Sequence, residues 1–478
     1  MISPLLTDFY QLTMAYGYWK LGLHEREAVF HLMYRKNPFK GNYAVACGLG
    51  NVIELLNGWR FSADDIEYLR GLRMPNHQVF FSDDFLDYLK QLRFSCDVDA
   101  VSEGEVVFPG TPLVRVKGPI LQCQLLESAL LNIINFQTLI ATKASRVCQV
   151  ENGDQVIEFG MRRAQGPDGA LSASRAAYIG GCGATSNVLA GQRFGIPLRG
   201  THAHSWVTAF PDERSAFAAY AEVMPHNCVL LVDTYDSIQG VKNAIEVGKQ
   251  LREKGAELQG IRLDSGDIAA LSIVARQLLD EAGFTHTAII ASNNLDEYVM
   301  AEMKSKGAAV SVWGVGTHLV TAYDHPALDG VYKLSAIRDE TGHWQYKLKL
   351  SEEMAKISHP GILQVKRFLN KSIPARDVLY DVEMGMPADP QVLPLSPPFN
   401  PLQSIAYTAS IDLLVPIFEQ GKQVYVEESI HDMRKRAIQQ VTQFLKTHAN
   451  GIYPVGLEKG LHELKQKLIS QVSHHDIK

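Results

Sequence analysis

Between about residues 155 and 313 the chain alternates short apolar, β-prone runs with helix-forming stretches, and this alternation constrains the fold more than any other feature. The apolar runs are 156–159, 197–201, 228–233, 260–263, 288–291 and 310–313. Between them, apolar residues recur three and four apart and predict helices over 172–180, 214–223, 237–254, 268–282 and 295–306. Strands joined through helices pair in parallel, so the segment predicts a parallel sheet. So many units in this length favour a closed barrel over an open sheet. Nearly every run ends in a polar or glycine-rich cluster: FGMRRAQG, RGTHAHS, VDTYDS, RLDSGD, ASNN and WGVGTH. Chemistry in α/β barrels sits at the carboxyl ends of the strands, so the clusters read as one pocket.

The flanks have a different texture. Residues 5–21 read as a helix with Thr7 or Asp8 at its N-cap. Residues 28–34 alternate like a strand, and 64–92 look mostly helical with a break near Pro75. Residues 96–117 carry β patterns around a Pro109-Gly110 turn, and 121–148 form one long apolar helix. After 330, β patterns return over 331–337 and 344–350, then a proline-rich stretch at 384–401 and helices near 426–446 and 456–472. The expected organisation is an N-terminal helix and sheet domain, 1–130, completed by about 335–400. An α/β barrel follows over 131–334, and a C-terminal helical extension over 401–478.

Composition narrows the function. The 478 residues suffice for two or three domains. A formal net charge of −6 argues against a nucleic-acid partner, which needs a basic surface. The 6 cysteines form no CxxC pair, so neither a zinc site nor a disulfide framework is expected. There is no signal peptide pattern and no apolar window long enough for a membrane span, so a reducing, cytoplasmic setting fits best.

His202 and His204 lie on a strand-to-helix turn, where an imidazole can be a metal ligand, a base or a nucleophile. An HxH pair also opens the metal site of barrel metallohydrolases. Here it falls in mid-barrel, and His226, His286 and His318 have no acidic partner at ligand spacing, so metal ligation is disfavoured. Arg262 and Asp264 stand two apart and point to one side. They suit a ribose carrying phosphate, or else form a structural ion pair while Ser265 or Asp267 caps the next helix. Gly314-Val315-Gly316-Thr317 follows the last strand, where backbone N–H groups hold phosphate in such barrels. Phe159 beside Arg162 suits a flat anionic ring, whereas Arg163 reads as solvated. Asp233 is placed to orient His204 or to bind metal, and Asp236 is placed to cap a helix.

Together these residues resemble a known family. TDFYQLTM (7–14), EFGMRRAQGPDGA (158–170), ATSNVLAG (184–191), GTHAHSW (200–206), VDTYD (232–236), RLDSGD (262–267) and GVGT (314–317) are similar, in order, to nicotinate phosphoribosyltransferases. The resemblance runs from residue 7 to about 367. It implies an irregular α/β barrel of the type II phosphoribosyltransferase kind with a flanking mixed α+β sheet domain and a C-terminal extension. It also implies a homodimer with shared active sites. The implied reaction joins nicotinate to 5-phosphoribosyl 1-diphosphate, giving nicotinate mononucleotide and diphosphate in NAD biosynthesis or salvage. ATP is a co-substrate, consumed through a phosphohistidine at His204, and Mg²⁺ is the implied cofactor.

The resemblance further implies residue roles. His204, Asp233 and Asp264 are catalytic. Tyr10, contributed by the partner subunit, and Phe159 sandwich the nicotinate ring, with Arg162, Ser186 and Thr201 around it. Arg262, Gly314, Gly316 and Thr317 hold ribose and phosphate. Arg35, Lys36, Lys347, Lys349 and Lys356 face diphosphate and ATP. No side-chain metal site is expected, Mg²⁺ arriving with substrate, with Asp264 as the candidate protein ligand. The related nicotinamide enzyme carries aspartate where Ser186 stands. Aspartate would repel a carboxylate and serine can donate to one, so nicotinate is the expected base. The competing readings are a nicotinamide phosphoribosyltransferase, a barrel metallohydrolase using His202 and His204, and a silent sensor of the mononucleotide.

Overall fold

The computed structural model describes residues 3–150, 153–351, 357–395, 400–401, 407–448 and 453–475, with side chains to 471. The chain divides into two compact units. One comprises the residues up to Leu139, Ala327–Ser429 and those from Gln439 on; the other comprises Ile140–Pro326 with Ile430–Ile438.

The first unit begins with the helix Phe9–Lys20. Asp8 takes the N-cap backbone position, but its carboxylate accepts from Ser128 Oγ at 2.6 Å rather than from the helix N–H groups. Strand β1 (Glu27–Tyr34) is buried from Ala28 on, because it is paired along both edges. Next come β2 (Ala44–Val45), β3 (Asp97–Val101), β4 (Val106–Val107) and β5 (Pro112–Pro119). Between β2 and β3 lie the helices Ala63–Gly71 and Asp83–Gln91, the first opened by a capping box of Ser62 and Asp65. The single helix expected over 121–148 is two, Ile120–Leu125 and Glu127–Gln149.

The second unit is the barrel. Strands β6 (Gln155–Glu158), β7 (Ala184–Thr185), β8 (Val229–Leu231), β9 (Gly260–Leu263), β10 (Ala288–Asn293) and β11 (Val312–Val315) form one sheet, in the order β7-β6-β11-β10-β9-β8. All five pairings are parallel, as the alternation predicted. The helices between them start on acidic or amide caps. Asn187, Asp212, Asp236, Asp267 and Asp296 each accept a first-turn N–H. Asp236 is thus a cap, and so is Asp267.

The strand expected at 197–201 does not form. Pro197 has no N–H to give, and only a parallel bridge between Leu198 and Thr185 remains. It is held by Thr185 N–H to Pro197 O and Arg199 N–H to Thr185 O, both 3.0 Å. On its other side the segment reaches β8 through a side chain, Leu231 N–H donating to His202 Nε2 at 3.2 Å. That bond joins the segment to β8, at the far end of the sheet from β7.

The remaining strands return to the first unit: β12 (Gly330–Arg338), β13 (Trp344–Tyr346), β14 (Leu363–Asn370), β15 (Ile373–Asp381), β16 (Val392–Pro394), β17 (Ala409–Asp412), β18 (Leu414–Glu419), β19 (Lys422–Gln423) and β20 (Val455–Glu458). They complete a seven-stranded sheet, β13-β12-β1-β5-β3-β18-β19, and a five-stranded one, β16-β20-β15-β14-β17. The 401–478 region is therefore not a helical extension. Its strands are integral to both sheets, and Pro416 hid β18 by sitting at a register shift. Of the helix Ile430–His448, residues 430–438 belong with the barrel, where Arg434 donates to the Cys182 and Gly181 carbonyls at 2.9 and 2.8 Å.

Arg367 anchors the five-stranded sheet. Its guanidinium grips both Asp377 oxygens at 2.8 and 2.7 Å and also donates to Val106 O at 2.7 Å. Tyr453 stacks on Phe108 at 4.0 Å and donates to Asp377 at 2.9 Å. All six cysteines are buried and unbridged. No helix among the described residues is long and apolar enough to cross a membrane.

Candidate active site

The carboxyl ends of the barrel strands surround a cavity of about 330 Å³. Its wall carries Phe159, Arg162, Ser186, Thr201, Arg262, Asp264, Gly314, Gly316 and Thr317, residues from distant stretches of the chain.

One side of the cavity is an aromatic shelf. A Cβ on Gly314 would lie 2.5 Å from Phe159 Cδ2, so the ring rests directly on the Gly314 backbone. Glycine at 314 is required by this ring, whether or not the backbone there also meets an anion. The Arg262 guanidinium lies 5.5 Å from the ring centroid. At Gly160 an added Cβ would meet Val320 Cγ1 at 2.3 Å, so the turn after Phe159 also needs glycine.

Arg262, Asp264 and Ser292 form a closed triangle. Arg262 Nε donates to Ser292 Oγ at 2.7 Å and Nη2 to Asp264 Oδ1 at 2.9 Å, while Ser292 Oγ donates to the same carboxylate oxygen. These bonds use two of the guanidinium's five N–H groups and one of the carboxylate's two oxygens. The pair is neither fully buried nor fully spent.

His204 and Asp233 adjoin this wall through Ala203 and Asp264 rather than lining it. Asp233 is buried. Its Oδ2 accepts from Asp264 N–H at 2.8 Å and Ser265 Oγ at 2.7 Å, and its Oδ1 has no hydrogen-bond partner. His204 opens the short helix His204–Thr208, with Nδ1 3.1 Å from Thr234 Oγ1 and Nε2 3.9 Å from Asp233 Oδ1. A carboxylate facing Nε2 favours the ring proton there and leaves the lone pair on Nδ1, where Thr234 can donate to it. The imidazole is thereby held between two partners.

Models of the nicotinate phosphoribosyltransferase N-terminal domain, family and C-terminal domain match residues 5–135, 155–347 and 364–465. The nicotinate phosphoribosyltransferase of Bacillus subtilis is 42% identical over 479 residues, covering 98% of this chain and 95% of that protein. The chain belongs to the nicotinate phosphoribosyltransferase family. The crystal structure of human nicotinic acid phosphoribosyltransferase shares its architecture, with a TM-score of 0.83 at 31% identity, covering 97% of this chain and 99% of that one. The nicotinate-nucleotide pyrophosphorylase of Pyrococcus furiosus, 21% identical with a TM-score of 0.68 over 92% of this chain and 95% of that one, shares the fold.

In this family member several residues at the cavity escaped the sequence. Glu158 is buried and accepts from Gly160 N–H, Ser174 Oγ at 2.8 Å and Thr185 Oγ1 at 2.6 Å, and its carbonyl accepts from Ser186 N–H at 3.0 Å. One carboxylate thus holds the Phe159 turn and the Ser186 loop together. The signal was an acidic residue ending an apolar run, which must find donors when buried. Ser292, Asn293 and Asn294 also line the cavity. Asn293 has φ of 128°, a backbone conformation that a non-glycine residue rarely adopts.

The structure bears on three further readings. Arg163, read as solvated, is exposed, and it also stands on the cavity wall beside Arg162. His318 has an acidic partner after all, Asp296 Oδ2 at 2.9 Å from Nδ1, brought in by the loop after the preceding strand, β10. His202 is not available as a metal ligand, since Nε2 accepts from Leu231 N–H and Nδ1 lies 3.3 Å from Ala203 O. Among the described residues no group of three or more His, Cys, Asp or Glu could hold a metal ion.

The remaining singled-out residues belong to the first unit. Tyr10 is half exposed on the helix Phe9–Lys20. Arg35 donates to Asp329 at 3.3 Å, Lys347 Nζ donates to Gln345 at 3.3 Å, and Lys36 and Lys349 are exposed. Lys356 lies outside the described residues.

Proposed function

We propose that the chain joins nicotinate to 5-phosphoribosyl 1-diphosphate, releasing nicotinate mononucleotide and diphosphate for NAD biosynthesis or salvage, and couples this to ATP hydrolysis through His204. The observation that carries the reading is the Phe159 ring, its Cδ2–Cε2 edge against the Gly314 backbone, on the wall of the same cavity as Arg162, Ser186 and Arg262. A flat ring stacks on Phe159, and its carboxylate meets the Arg162 guanidinium and the Ser186 hydroxyl. An aspartate at 186 would face that carboxylate with like charge, so nicotinate is preferred over nicotinamide.

Arg262 and Asp264 hold the ribose and its phosphate, aided by Thr201, Gly316 and Thr317. The pyridine nitrogen attacks the ribosyl carbon as the bond to the diphosphate oxygen breaks, and diphosphate leaves with that electron pair. Positioning supplies much of the rate, because the nitrogen needs no activation. Mg²⁺, when bound with the diphosphate, would neutralise its charge, with Asp264 the carboxylate placed to hold it. Arg35, Lys36, Lys347, Lys349 and Lys356 supply the cations for diphosphate and ATP.

His204 Nδ1 attacks the terminal phosphorus of ATP. A nitrogen–phosphorus bond forms, ADP leaves, and water later cleaves the phosphohistidine to phosphate. The buried Asp233 carboxylate stabilises the imidazolium during the transfer. The phosphorylated side chain adds negative charge beside the site and strengthens binding of the metal–diphosphate.

The active enzyme is a homodimer in this reading, with the partner subunit's Tyr10 stacking on nicotinate opposite Phe159. Exposed apolar side chains support it: Phe9, Tyr10 and Met14 on the N-terminal helix, and Met161, Val188, Leu189 and Leu198 in the barrel unit. Six unbridged thiols fit a reducing cytoplasm. Mass spectrometry of the product with nicotinate or nicotinamide, each with and without ATP, tests the whole reading. Nicotinate mononucleotide formation, raised by ATP, is expected; preference for nicotinamide would replace the substrate assignment.

A further inference from the structure

His202 is 8% exposed and sits edge-on to Tyr220, with ring centroids 4.8 Å apart. Its Nε2 faces the Leu231 N–H at 3.2 Å. Leu231 N–H can only donate, so Nε2 must be bare, and the ring proton must be on Nδ1, directed at Ala203 O, 3.3 Å away. Both polar atoms of the ring are therefore committed to backbone, although the residue also lines the cavity.

We infer that His202, as the neutral Nδ1–H tautomer, is a positioning residue that fastens the segment carrying Thr201 and His204 to strand β8 and so sets His204 against Asp233 and Thr234. The offsets match. His204 follows His202 by two residues, and Asp233 follows Leu231 by two. The bond at 202–231 joins this segment to β8, and the His204 contacts at 3.1 and 3.9 Å lie just beyond it along both segments. The neighbouring segment offers β8 no backbone ladder that could keep this register by itself. Burial, with Arg262 and His204 nearby, lowers the His202 pKa and keeps the ring neutral. A protonated ring would turn an N–H toward an N–H.

The role rests on the proposed reading of the cavity, and two measurements separate them. Nitrogen NMR of histidine-labelled protein at neutral pH reads the tautomer without any assay. His202 should show a pyrrole-type Nδ1 and a pyridine-type Nε2, assigned by their loss in His202→Gln. Kinetics then compare His202→Gln, whose amide retains an acceptor and a donor, with His202→Leu, which retains neither. The leucine variant should raise the nicotinate KM and lower the ATP hydrolysed per product, each by about tenfold. Glutamine should restore both to within about threefold.

A purely structural role would lower the amount of active enzyme and leave KM and the ATP-to-product ratio unchanged, and that result overturns the inference. So does an Nε2–H tautomer. Should His202→Leu fail to fold, the tautomer and the glutamine variant decide. A wild-type protein that forms no mononucleotide would sink the functional reading while leaving the tautomer result standing.

Discussion

Arg367–Asp377 and Arg262–Asp264 are built from the same two side chains at 2.7 and 2.9 Å, one pair in each unit. The first is buried at 2% and 1% side-chain exposure, with both carboxylate oxygens gripped and further donors and acceptors on every side. Burial opposes its charge, but Asp377 outweighs it and keeps the guanidinium firmly protonated. The second pair is 18% and 33% exposed, bonds through one carboxylate oxygen, and keeps N–H groups in hand beside a cavity. An ion pair by itself therefore does not mark a site. Unspent hydrogen-bonding capacity facing a void does, and that cannot be read from residue spacing.

Substitutions in and around the two pairs test this contrast. The largest effect is expected at the histidine joined to the open pair through Asp233: His204→Ala should abolish ATP hydrolysis and ATP stimulation while some ATP-independent transfer persists. Surviving ATPase activity in a coupled assay would remove the phosphohistidine role. Next, Arg262→Lys keeps the charge and loses the fork. It should lower kcat/KM for transfer about a thousandfold with little change in Tm.

Arg367→Met should do the reverse. It leaves Asp377 buried and unpaired and should cost about 3 kcal/mol or more in denaturant unfolding, with KM unchanged. A shifted KM there, or a lost Tm at Arg262→Lys, would collapse the distinction between the pairs. Gly314→Ala pushes a methyl group into the Phe159 ring and should raise the nicotinate KM about tenfold.

The smallest effect concerns acid. His202, His31 and His359 all have pKa values lowered below the ordinary 6.5, chiefly by burial. The unfolded chain then binds more protons than the folded one, so stability is retained above 6.5 and lost as pH falls below it. Thermal unfolding from about pH 7 to about pH 5 should slope less in His202→Gln than in wild type. Equal slopes would show that folding leaves the His202 ring's pKa unshifted.

The barrel was legible because period and punctuation agree. Each helix after a strand needs a cap, so Asp or Asn recurs where the strands end, and the pocket residues sit in the same clusters. The edges of the pattern were not legible. Strand β7 is two residues long, too short to show alternation, and its partner at 197–201 is interrupted by Pro197. Glu158 and Ser292 depend on which neighbours the fold brings within 3 Å, information held by the packing alone. The C-terminal strands were missed because their pairing is long-range: β14 meets β17, and β3 meets β18 more than 300 residues away. At His202 the sequence disfavoured a metal but gave the ring no other role; the backbone donor that engages it is brought in by packing.

The buried thiols turn this chain into its own reporter. Cys47, Cys96 and Cys123 lie in the first unit, and Cys148, Cys182 and Cys228 in the barrel unit. A bulky alkylating dye can reach either trio only when the surrounding structure opens. Peptide mapping after a timed pulse would then give separate opening rates for the sheet unit and the barrel, with no label to introduce and no residue to replace.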